Sequence, residues 1–345
     1  KDMKIVYTPL HGTGEMLARR ALAQAGFDSV QVVEAQATPD PDFSTVKSPN
    51  PESQAAFALA EELGRKVGAD VLVATDPDAD RVGVEVLQKD GSYLNLSGNQ
   101  IGAIMAKYIL EAHKNAGTLP ENAALCKSIV STDLVTKIAE SYGATMFNVL
   151  TGFKFIAEKI QEFEEKHNHT YMMGFEESFG YLIKPFVRDK DAIQAVLVVA
   201  ELAAYYRSRG LTLADGIEEI YKEYGYYAEK TISVTLSGVD GAEQIKAIMA
   251  KFRDNGPKEW NATTITVVED FKAQTATAAD GTVTNLTTPP SDVLKYTLAD
   301  GSWIAVRPSG TEPKIKFYIA VVGESNEDSQ AKIANIEAEI NAFVK

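Results

Sequence analysis

The chain has 345 residues, of which 45% are hydrophobic and 24% are charged, and it carries a formal net charge of −14. This length predicts two or three domains of an ordinary globular composition. The acidic balance disfavours a nucleic-acid partner, which would need a basic face. No apolar run approaches the roughly 20 residues of a membrane span. A single cysteine, Cys126, excludes an intrachain disulfide and favours a cytoplasmic location.

Residues 1–96 alternate predicted strands with predicted helices. The strands are the apolar runs KIVYTPL, SVQVVEA and ADVLVAT. Glu15–Gly26 and Glu52–Val67 have the apolar spacing of amphipathic helices. An Asp90-Gly91 turn then closes a hairpin. This alternation predicts an α/β sheet, in which ligands bind at the carboxyl ends of the strands.

Residues 97–225 repeat this rhythm, whereas residues 226–345 are richer in strands. In the first of these segments the predicted elements are, in order, Asn99–Ala112, Ala123–Val130, a helix from Ser131, Ala144–Val149, a helix from Phe153, YMMGFEES, Asp191–Arg209 and Leu213–Tyr224. The sequence therefore predicts three domains: two α/β domains followed by an α+β C-terminal domain.

Three aspartates, Asp76, Asp78 and Asp80, follow the third predicted strand at alternate positions. Hard divalent cations prefer carboxylate oxygens, and like charges this close need an opposite charge nearby. The spacing begins like an EF-hand loop, but position six is Arg81 and position twelve is Leu87, so that motif is excluded. A metal site and a solvated acidic turn are the two interpretations. Arg81 either offsets the negative charge or faces a phosphate beside the metal.

A second polar stretch, GFEESFGYLIKPFVRDKDA, begins after another predicted strand. Glu176, Glu177 and Ser178 offer paired acceptors and a hydroxyl, which suit the directional hydrogen bonds of sugar hydroxyl groups. Arg188 and Lys190 add cations for a phosphate. The alternative is an exposed acidic turn.

The third stretch is VRPSGTEPKIKFY, between two predicted strands. An arginine can hold a phosphate through two parallel hydrogen bonds, and hydroxyl groups with a glycine-containing backbone add further donors. The candidate phosphate ligands are Arg307, Ser309, Gly310, Thr311 and Lys316. A polar hairpin turn is the alternative.

Two shorter features carry weaker indications. His11 follows the first predicted strand and is a candidate catalytic group, although a lone loop histidine is more often structural. Thr151 and Gly152 precede a predicted helix, so their backbone N–H groups could bind a phosphate or sugar oxygen. An ordinary helix N-cap is equally compatible with that pattern.

Taken in order, TPLHGTG, DPDADR, TGFKF, GFEESFG, RDKDA and RPSGTEP resemble the α-D-phosphohexomutase superfamily, in particular its bacterial phosphoglucomutase branch. The resemblance implies Mg²⁺ at the three aspartates, completed by a phosphorylated serine with Arg81 beside its phosphate. It implies sugar contacts for Glu176 and Ser178, with Lys190 as a cation near the substrate. It also implies that the loop beginning at Arg307 holds the non-reacting phosphate.

The implied activity is the interconversion of glucose 1-phosphate and glucose 6-phosphate, through a phosphoserine and glucose 1,6-bisphosphate. Phosphopentomutase and phosphomannomutase activities are alternatives within the superfamily. A non-catalytic phosphosugar-binding protein is an alternative outside the enzymes. The oligomeric state is open, with a monomer as the simplest expectation.

Two features depart from the superfamily pattern. Pro77 and Ala79 stand between the aspartates, where relatives usually have glycines. The serine block Thr-Ala/Gly-Ser-His-Asn-Pro is absent, and Ser48-Pro49-Asn50-Pro51 lacks its histidine. We therefore expect that the first, phosphoserine-bearing domain is missing from this chain and that the chain alone has no mutase activity.

Overall fold

The computed structural model describes residues 3–236, 240–310 and 313–344. The chain forms two compact units, Lys1–Glu223 and Tyr224–Lys345. Two sheets lie in the first unit and one large sheet lies in the second, so the predicted fold class is confirmed. The domain boundaries near residues 96 and 225 stay predictions. Within the described residues, no helix has the length and apolar character needed to cross a bilayer.

The first sheet is built from five strands, namely β1 (Ile5–Thr8), β2 (Val30–Val32), β3 (Val71–Thr75), β4 (Val82–Leu87) and β5 (Tyr93–Asn95). Their order is β2-β1-β3-β4-β5, parallel through β3 and antiparallel beyond it. The helices of this region are α1 (Glu15–Gln24), α2 (Glu34–Ala37) and α3 (Ala58–Val67). Every residue of β1 and β3 is buried, which explains their unbroken apolar sequences.

The helix predicted over Glu52–Val67 begins later than expected. Gln54–Phe57 forms a 3₁₀ turn, and the α-helix starts only at Ala58. The reason lies on β4, where a Cβ added at Gly83 would come within 2.4 Å of the Pro51 carbonyl oxygen and 3.1 Å of the Phe57 ring. Close packing of this segment on the sheet thus competes with regular helix geometry.

The second sheet has the strands β6 (Ala123–Ser128), β7 (Thr145–Val149), β8 (Thr170–Glu176) and β9 (Gly180–Leu182). They are ordered β7-β6-β8-β9, with β6 parallel to both neighbours and β9 antiparallel to β8. The helices are α4 (Gly98–Asn115), α5 (Leu134–Ser141), α6 (Phe153–Lys166), α7 (Ala192–Ser208) and α8 (Leu213–Tyr224). Because β6 and β8 are parallel, the loops that follow them lie at the same edge of the sheet.

The two sheets of the first unit are joined by backbone contacts at this edge. The Val82 N–H donates to the Phe179 carbonyl oxygen at 3.1 Å, and Arg81 forms a β-bridge with Gly180. Phe179 has a φ of 67°, a left-handed conformation that turns the chain from β8 back into β9. The loop after β3 is thereby fixed beside the loop after β8.

The second unit contains the strands β10 (Tyr226–Thr235), β11 (Glu259–Trp260), β12 (Thr263–Asp270), β13 (Thr275–Ala278), β14 (Val283–Asn285), β15 (Leu294–Leu298), β16 (Trp303–Pro308) and β17 (Lys314–Gly323), with the helices α9 (Gly241–Asn255) and α10 (Asn326–Val344). The sheet order is β10-β17-β16-β15-β12-β13-β14, and β11 pairs with β12. Phe252, Trp260, Tyr296 and Phe317 lie in its core. This unit has its own core and presents the end of β16.

Glu85 on β4 is a carboxyl group buried within the first unit, with 0% of its surface exposed. Its Oε1 accepts from the Asn95 side-chain amide at 3.3 Å, and no described residue hydrogen-bonds to its Oε2. Burial raises the pKa of Glu85 to about 7, and the nearby negative charge of Glu61 adds to the rise. The folded chain therefore binds more protons at this site than the unfolded chain does between about pH 4.5 and pH 7.

We expect Glu85→Gln to flatten the pH dependence of stability. Since the folded-state pKa is raised, the free energy of unfolding of the wild type should fall by roughly 1–3 kcal/mol relative to the variant as the pH rises from about 5 to about 8. Urea unfolding at both pH values measures this difference. Glu121→Gln, at an exposed position, is the matched control and should keep the wild-type slope. Parallel pH profiles for the wild type and Glu85→Gln would contradict the assignment.

Candidate functional site

The loop after β3 brings three carboxylates together. One oxygen atom from each of Asp76, Asp78 and Asp80 lies within 4.8 Å of the others. The Asp76 Oδ1 accepts from the backbone N–H groups of Asp80 at 3.0 Å and Arg81 at 2.9 Å, which fixes the turn. Burial raises the pKa of Asp76 to about 7; the hydrogen bond from Arg81 opposes this rise, and the charges of Asp80 and Asp78 add to it. A cation among the three carboxylates would relieve the repulsion between their negative charges. Both this negative charge and the hard oxygen donors suit a divalent ion.

Ala79 stands where the superfamily resemblance predicts a glycine, and its backbone adopts a conformation that favours glycine. Ala79 has a φ of 58°, in the left-handed region that costs a residue with a Cβ some strain. The chain still makes the turn, because the Ala79 N–H donates to the Asp76 carbonyl at 3.0 Å and the Ala79 carbonyl accepts from the Ala192 N–H at 3.1 Å. The departure from the superfamily pattern therefore leaves the three carboxylates together.

Arg81 lies beside the carboxylates and supplies part of the compensating charge. Its Nη1 donates to Glu52 Oε1 at 2.9 Å. Its Nε lies 3.9 Å from Asp76 Oδ2 and 3.8 Å from Asp80 Oδ1. The guanidinium is 36% exposed, so it remains accessible to an anion above the loop. Sequence reasoning anticipated Arg81 here and missed Glu52, which lies 29 positions away.

Lys190 reaches the same loop from the segment that precedes α7. Its Nζ donates to Asp80 Oδ2 at 2.8 Å and lies 3.3 Å from Asp189 Oδ1. Burial alone would lower the pKa of Lys190, but the ion pairs with Asp80 and Asp189 raise it. The lysine stem passes directly over Gly180, where an added Cβ would lie 2.3 Å from Lys190 Cδ. A larger residue at Gly180 would displace this cation.

The loop after β8 places a buried carboxylate near these groups. Glu176 is 7% exposed, and its Oε1 accepts from the Gly152 N–H at 2.7 Å. Burial raises the pKa of Glu176, while this hydrogen bond from Gly152 opposes the rise. The N–H that was a candidate ligand for a phosphate or sugar oxygen is therefore paired with Glu176. Thr151 and Ser178 are half-buried in the loops around it.

Glu177, next in the chain, was predicted together with Glu176 as an acceptor for sugar hydroxyl groups. Its Oε2 accepts from the Ser128 hydroxyl at 2.9 Å and the Ser131 hydroxyl at 3.1 Å. Both serines are fully buried at the end of β6. The sequence does carry a signal for these contacts, because Lys127 and Ser128 end an otherwise apolar strand, and Lys127 is also fully buried. Polar residues in a buried strand indicate a hydrogen-bonded network.

His11 occupies the loop after β1 and is 6% exposed. One ring nitrogen, Nδ1, lies 3.2 Å from the Thr38 carbonyl oxygen, and Nε2 lies 2.8 Å from the Thr45 hydroxyl. The backbone of His11 has a φ of 62°. Because both nitrogens are engaged, this geometry suits a residue that holds the Thr38–Thr45 loop in place. Its catalytic role stays a prediction.

The predicted phosphate loop lies in the second unit, at the end of β16. Arg307, Ser309 and Gly310 line a cavity of about 640 Å³, together with Lys246, Asp292 and apolar residues of α9. The Asp292 carboxylate is paired with Arg253 at 2.6 Å, which offsets its charge. Lys316 lies opposite Arg307 in the β16–β17 register. Thr311, the remaining candidate, lies outside the described residues. Arginine, lysine and serine side chains around one cavity make it suited to an anion.

Three family models match consecutive segments: phosphoglucomutase/phosphomannomutase alpha/beta/alpha domain II over residues 1–89, domain III over residues 97–224, and the C-terminal domain over residues 239–342. A phosphoglucomutase of Staphylococcus aureus is 39% identical over 333 residues, which are 96% of this chain and 59% of that protein. The chain thus spans about three fifths of the length of this relative.

Solved structures share the fold at lower identity. The phosphoglucomutase pp63/parafusin of Paramecium has a TM-score of 0.65 at 18% identity, covering 100% of this chain and 57% of that chain. The N-acetylphosphoglucosamine mutase of Aspergillus fumigatus, in complex with GlcNAc-6P and magnesium, has a TM-score of 0.53 at 12% identity, covering 100% of this chain and 62% of that chain. These structures share the fold, and the three consecutive family models show that the chain belongs to the phosphoglucomutase/phosphomannomutase family.

Proposed function

We propose that the chain carries the metal, sugar and phosphate sites of a phosphoglucomutase, which interconverts glucose 1-phosphate and glucose 6-phosphate. The observation that carries the proposal is the meeting of Asp76, Asp78 and Asp80 with Lys190 at one edge of the first unit. The name of the Staphylococcus aureus relative, at 39% identity, supports glucose phosphates as substrates. The chain covers 59% of that relative, so the complete reaction is a proposal for this chain.

The three aspartates would hold Mg²⁺, to which their oxygen donors and their crowded negative charge are suited. When bound, this ion would neutralise charge that develops on a transferring phosphoryl group. Arg81 is within 4 Å of two of these carboxylates, and its exposed face would contact the same phosphoryl oxygens. We propose Arg81 as a catalytic group. His11, the other predicted catalytic residue, would act indirectly by holding the Thr38–Thr45 loop in place.

The sugar and the second phosphate would be bound by the remaining candidates. Glu176 and Ser178 would contact sugar hydroxyl groups, with Thr151, Gly152 and Lys190 around them. The non-reacting phosphate would lie on Arg307, Ser309, Gly310, Thr311 and Lys316. Glucose 1,6-bisphosphate carries a phosphate at both ends, so this loop must accept either end of the sugar. The cationic groups and hydroxyl groups of this loop would bind either phosphate, since they recognise the phosphate and not the sugar.

A serine that carries the phosphoryl group is also required. The sequence of 345 residues contains no Thr-Ala/Gly-Ser-His-Asn-Pro block. We propose that this serine lies outside these residues and that the chain alone has no mutase activity. Metal and phosphate ligands position charge but cannot store a phosphoryl group between two half-reactions.

Phosphomannomutase activity is the second candidate, since the matching family models bear both names. Phosphopentomutase activity and non-catalytic phosphosugar binding are the remaining alternatives. Titration of the chain with glucose 1-phosphate, mannose 1-phosphate and ribose 1-phosphate in parallel separates the sugar classes. Tightest binding of glucose 1-phosphate supports the proposal, and equal or tighter binding of another sugar phosphate contradicts the assignment of glucose as the preferred sugar.

We expect Asp78→Ala to weaken Mn²⁺ binding by about tenfold or more, because a carboxylate ligand is lost from a site of three. Mn²⁺ is a spectroscopic substitute for Mg²⁺, and isothermal titration calorimetry measures its affinity. Asp42→Ala removes an exposed aspartate from the same unit and should leave the affinity unchanged. Equal affinities for the wild type and Asp78→Ala would remove the metal assignment.

We expect Arg307→Ala to weaken the binding of glucose 1-phosphate by roughly 1.5–3 kcal/mol, because charge-assisted hydrogen bonds to the phosphate are lost. Calorimetric titration of the chain provides the affinity. Arg307→Lys keeps the charge without the planar fork and should bind with an intermediate affinity. Arg20→Ala, at an exposed position on α1, is the control. Wild-type affinity in Arg307→Ala would show that this loop is only a hairpin turn.

A further inference from the structure

Two adjacent carboxylates at the end of β8 have opposite surroundings. Glu176 accepts a hydrogen bond from the Gly152 N–H on the side of the candidate sugar loop. Glu177 instead accepts from two buried hydroxyl groups, Ser128 at 2.9 Å and Ser131 at 3.1 Å. Glu177, which is half-buried, is therefore held by the serines that follow β6, whereas Glu176 is buried beside the candidate sugar loop.

Ser131 holds Glu177 at two points. Its hydroxyl oxygen accepts from the Glu177 backbone N–H at 3.0 Å, while its proton is directed to the Glu177 carboxylate. The Ser128 and Ser131 hydroxyl oxygens are 2.8 Å apart. Three oxygen–oxygen contacts thus share two hydroxyl protons, and the Glu177 carboxylate can accept both. Hydrogen bonds to a charged acceptor are stronger than neutral ones, so this group of contacts is stiff.

The turn that carries the two serines is itself fixed by a buried lysine. The Lys127 Nζ donates to the Ser131 carbonyl oxygen at 3.1 Å and forms an ion pair with Asp133 at 2.9 Å. The Lys127 side chain has 0% exposure, whereas Asp133 is 32% exposed. An ammonium group buried in this way persists only with such partners. The turn from β6 to α5 is therefore a rigid support for Glu177.

The N-terminus of α4 closes the other side of the loop. A Cβ added at Gly98 would lie 2.0 Å from the Glu177 carbonyl oxygen and 3.0 Å from the Phe179 nitrogen. The Tyr181 hydroxyl also donates to the Gly98 carbonyl oxygen at 2.8 Å. Glu177 is thus held between a helix end and the serine turn. A shift of its side chain would move both of its neighbours in the chain, Glu176 and Ser178.

We propose that Ser128 and Ser131 are positioning residues, which act through Glu177 to hold Glu176 and Ser178 in the orientation that sugar hydroxyl groups require. The inference rests on the proposed function, because it takes Glu176 and Ser178 as the sugar contacts. It gives Ser128, Ser131 and Glu177 supporting roles in which none of them would contact the sugar. We call Ser128, Ser131 and Glu177 the serine clamp. The sugar binds less tightly when the groups that hydrogen-bond to it move by a fraction of an ångström, so the serine clamp sets sugar affinity and not only stability.

The test compares Ser131→Ala with the wild-type chain in three measurements: a melting curve, Mn²⁺ affinity, and affinity for glucose 1-phosphate by calorimetry. We expect the affinity for glucose 1-phosphate to fall by about tenfold, because the variant loses the hydrogen bonds of Ser131 to the Glu177 carboxylate and backbone N–H, which frees the loop. The Mn²⁺ affinity should stay within about twofold, because the aspartate loop has its own hydrogen bonds. Ser141→Ala removes a hydroxyl that donates to the Ile138 carbonyl in the same region, and should leave both affinities unchanged.

Glu177 variants supply the conservative comparison. Glu177→Gln keeps an oxygen acceptor for the serine hydroxyls and should retain more sugar affinity than Glu177→Ala. If Ser131→Ala lowers the melting temperature but leaves glucose 1-phosphate affinity at the wild-type value, the serine clamp is only structural and the inference is wrong. If the wild-type chain binds none of the phosphosugars, the proposed function fails, and the positioning role fails with it.

Discussion

The site depends on one constraint, the backbone junction that joins two sheets at the ends of their parallel strands. The Val82–Phe179 hydrogen bond and the bridge beside it hold the loop after β3 against the loop after β8. The loop after β3 itself holds three carboxylates in a small region, and the cost of burying Asp76 beside Asp80 and Asp78 is visible in its raised pKa. The surrounding groups offset that cost: Arg81 and Lys190 contribute positive charge, and buried backbone donors fix the turns.

Local pattern was sufficient for the buried strands of the first sheet and for the metal loop. The apolar runs that became β1 and β3 could be predicted because both strands are covered on both faces and contain no polar interruption. The closeness of Asp76, Asp78 and Asp80 was also predictable, because aspartates at alternate positions of one short loop can turn towards the same point. The family resemblance, which rested on the order of six motifs, is confirmed by the family models.

Contacts between distant segments were beyond local pattern. The Arg81–Glu52 and Lys190–Asp80 pairs join residues that no periodicity relates, because they depend on how the sheets meet. The Glu177–Ser131 contact spans 46 positions, and only the unusual polarity of β6 hinted at it. The late start of α3 likewise results from packing against β4, which overrode helix propensity.

If the aspartate loop and the sugar loop form one site, their ligands must be thermodynamically linked. Mn²⁺ affinity of the chain should be measured by calorimetry with and without glucose 1,6-bisphosphate. The same titration of Asp78→Ala measures the Mn²⁺ that the bisphosphate binds in solution. If one phosphate lies beside the aspartates, Mn²⁺ should bind more tightly in the presence of the bisphosphate, with a reciprocal gain in bisphosphate affinity. Mn²⁺ affinity that is independent of a bound bisphosphate would contradict a shared site.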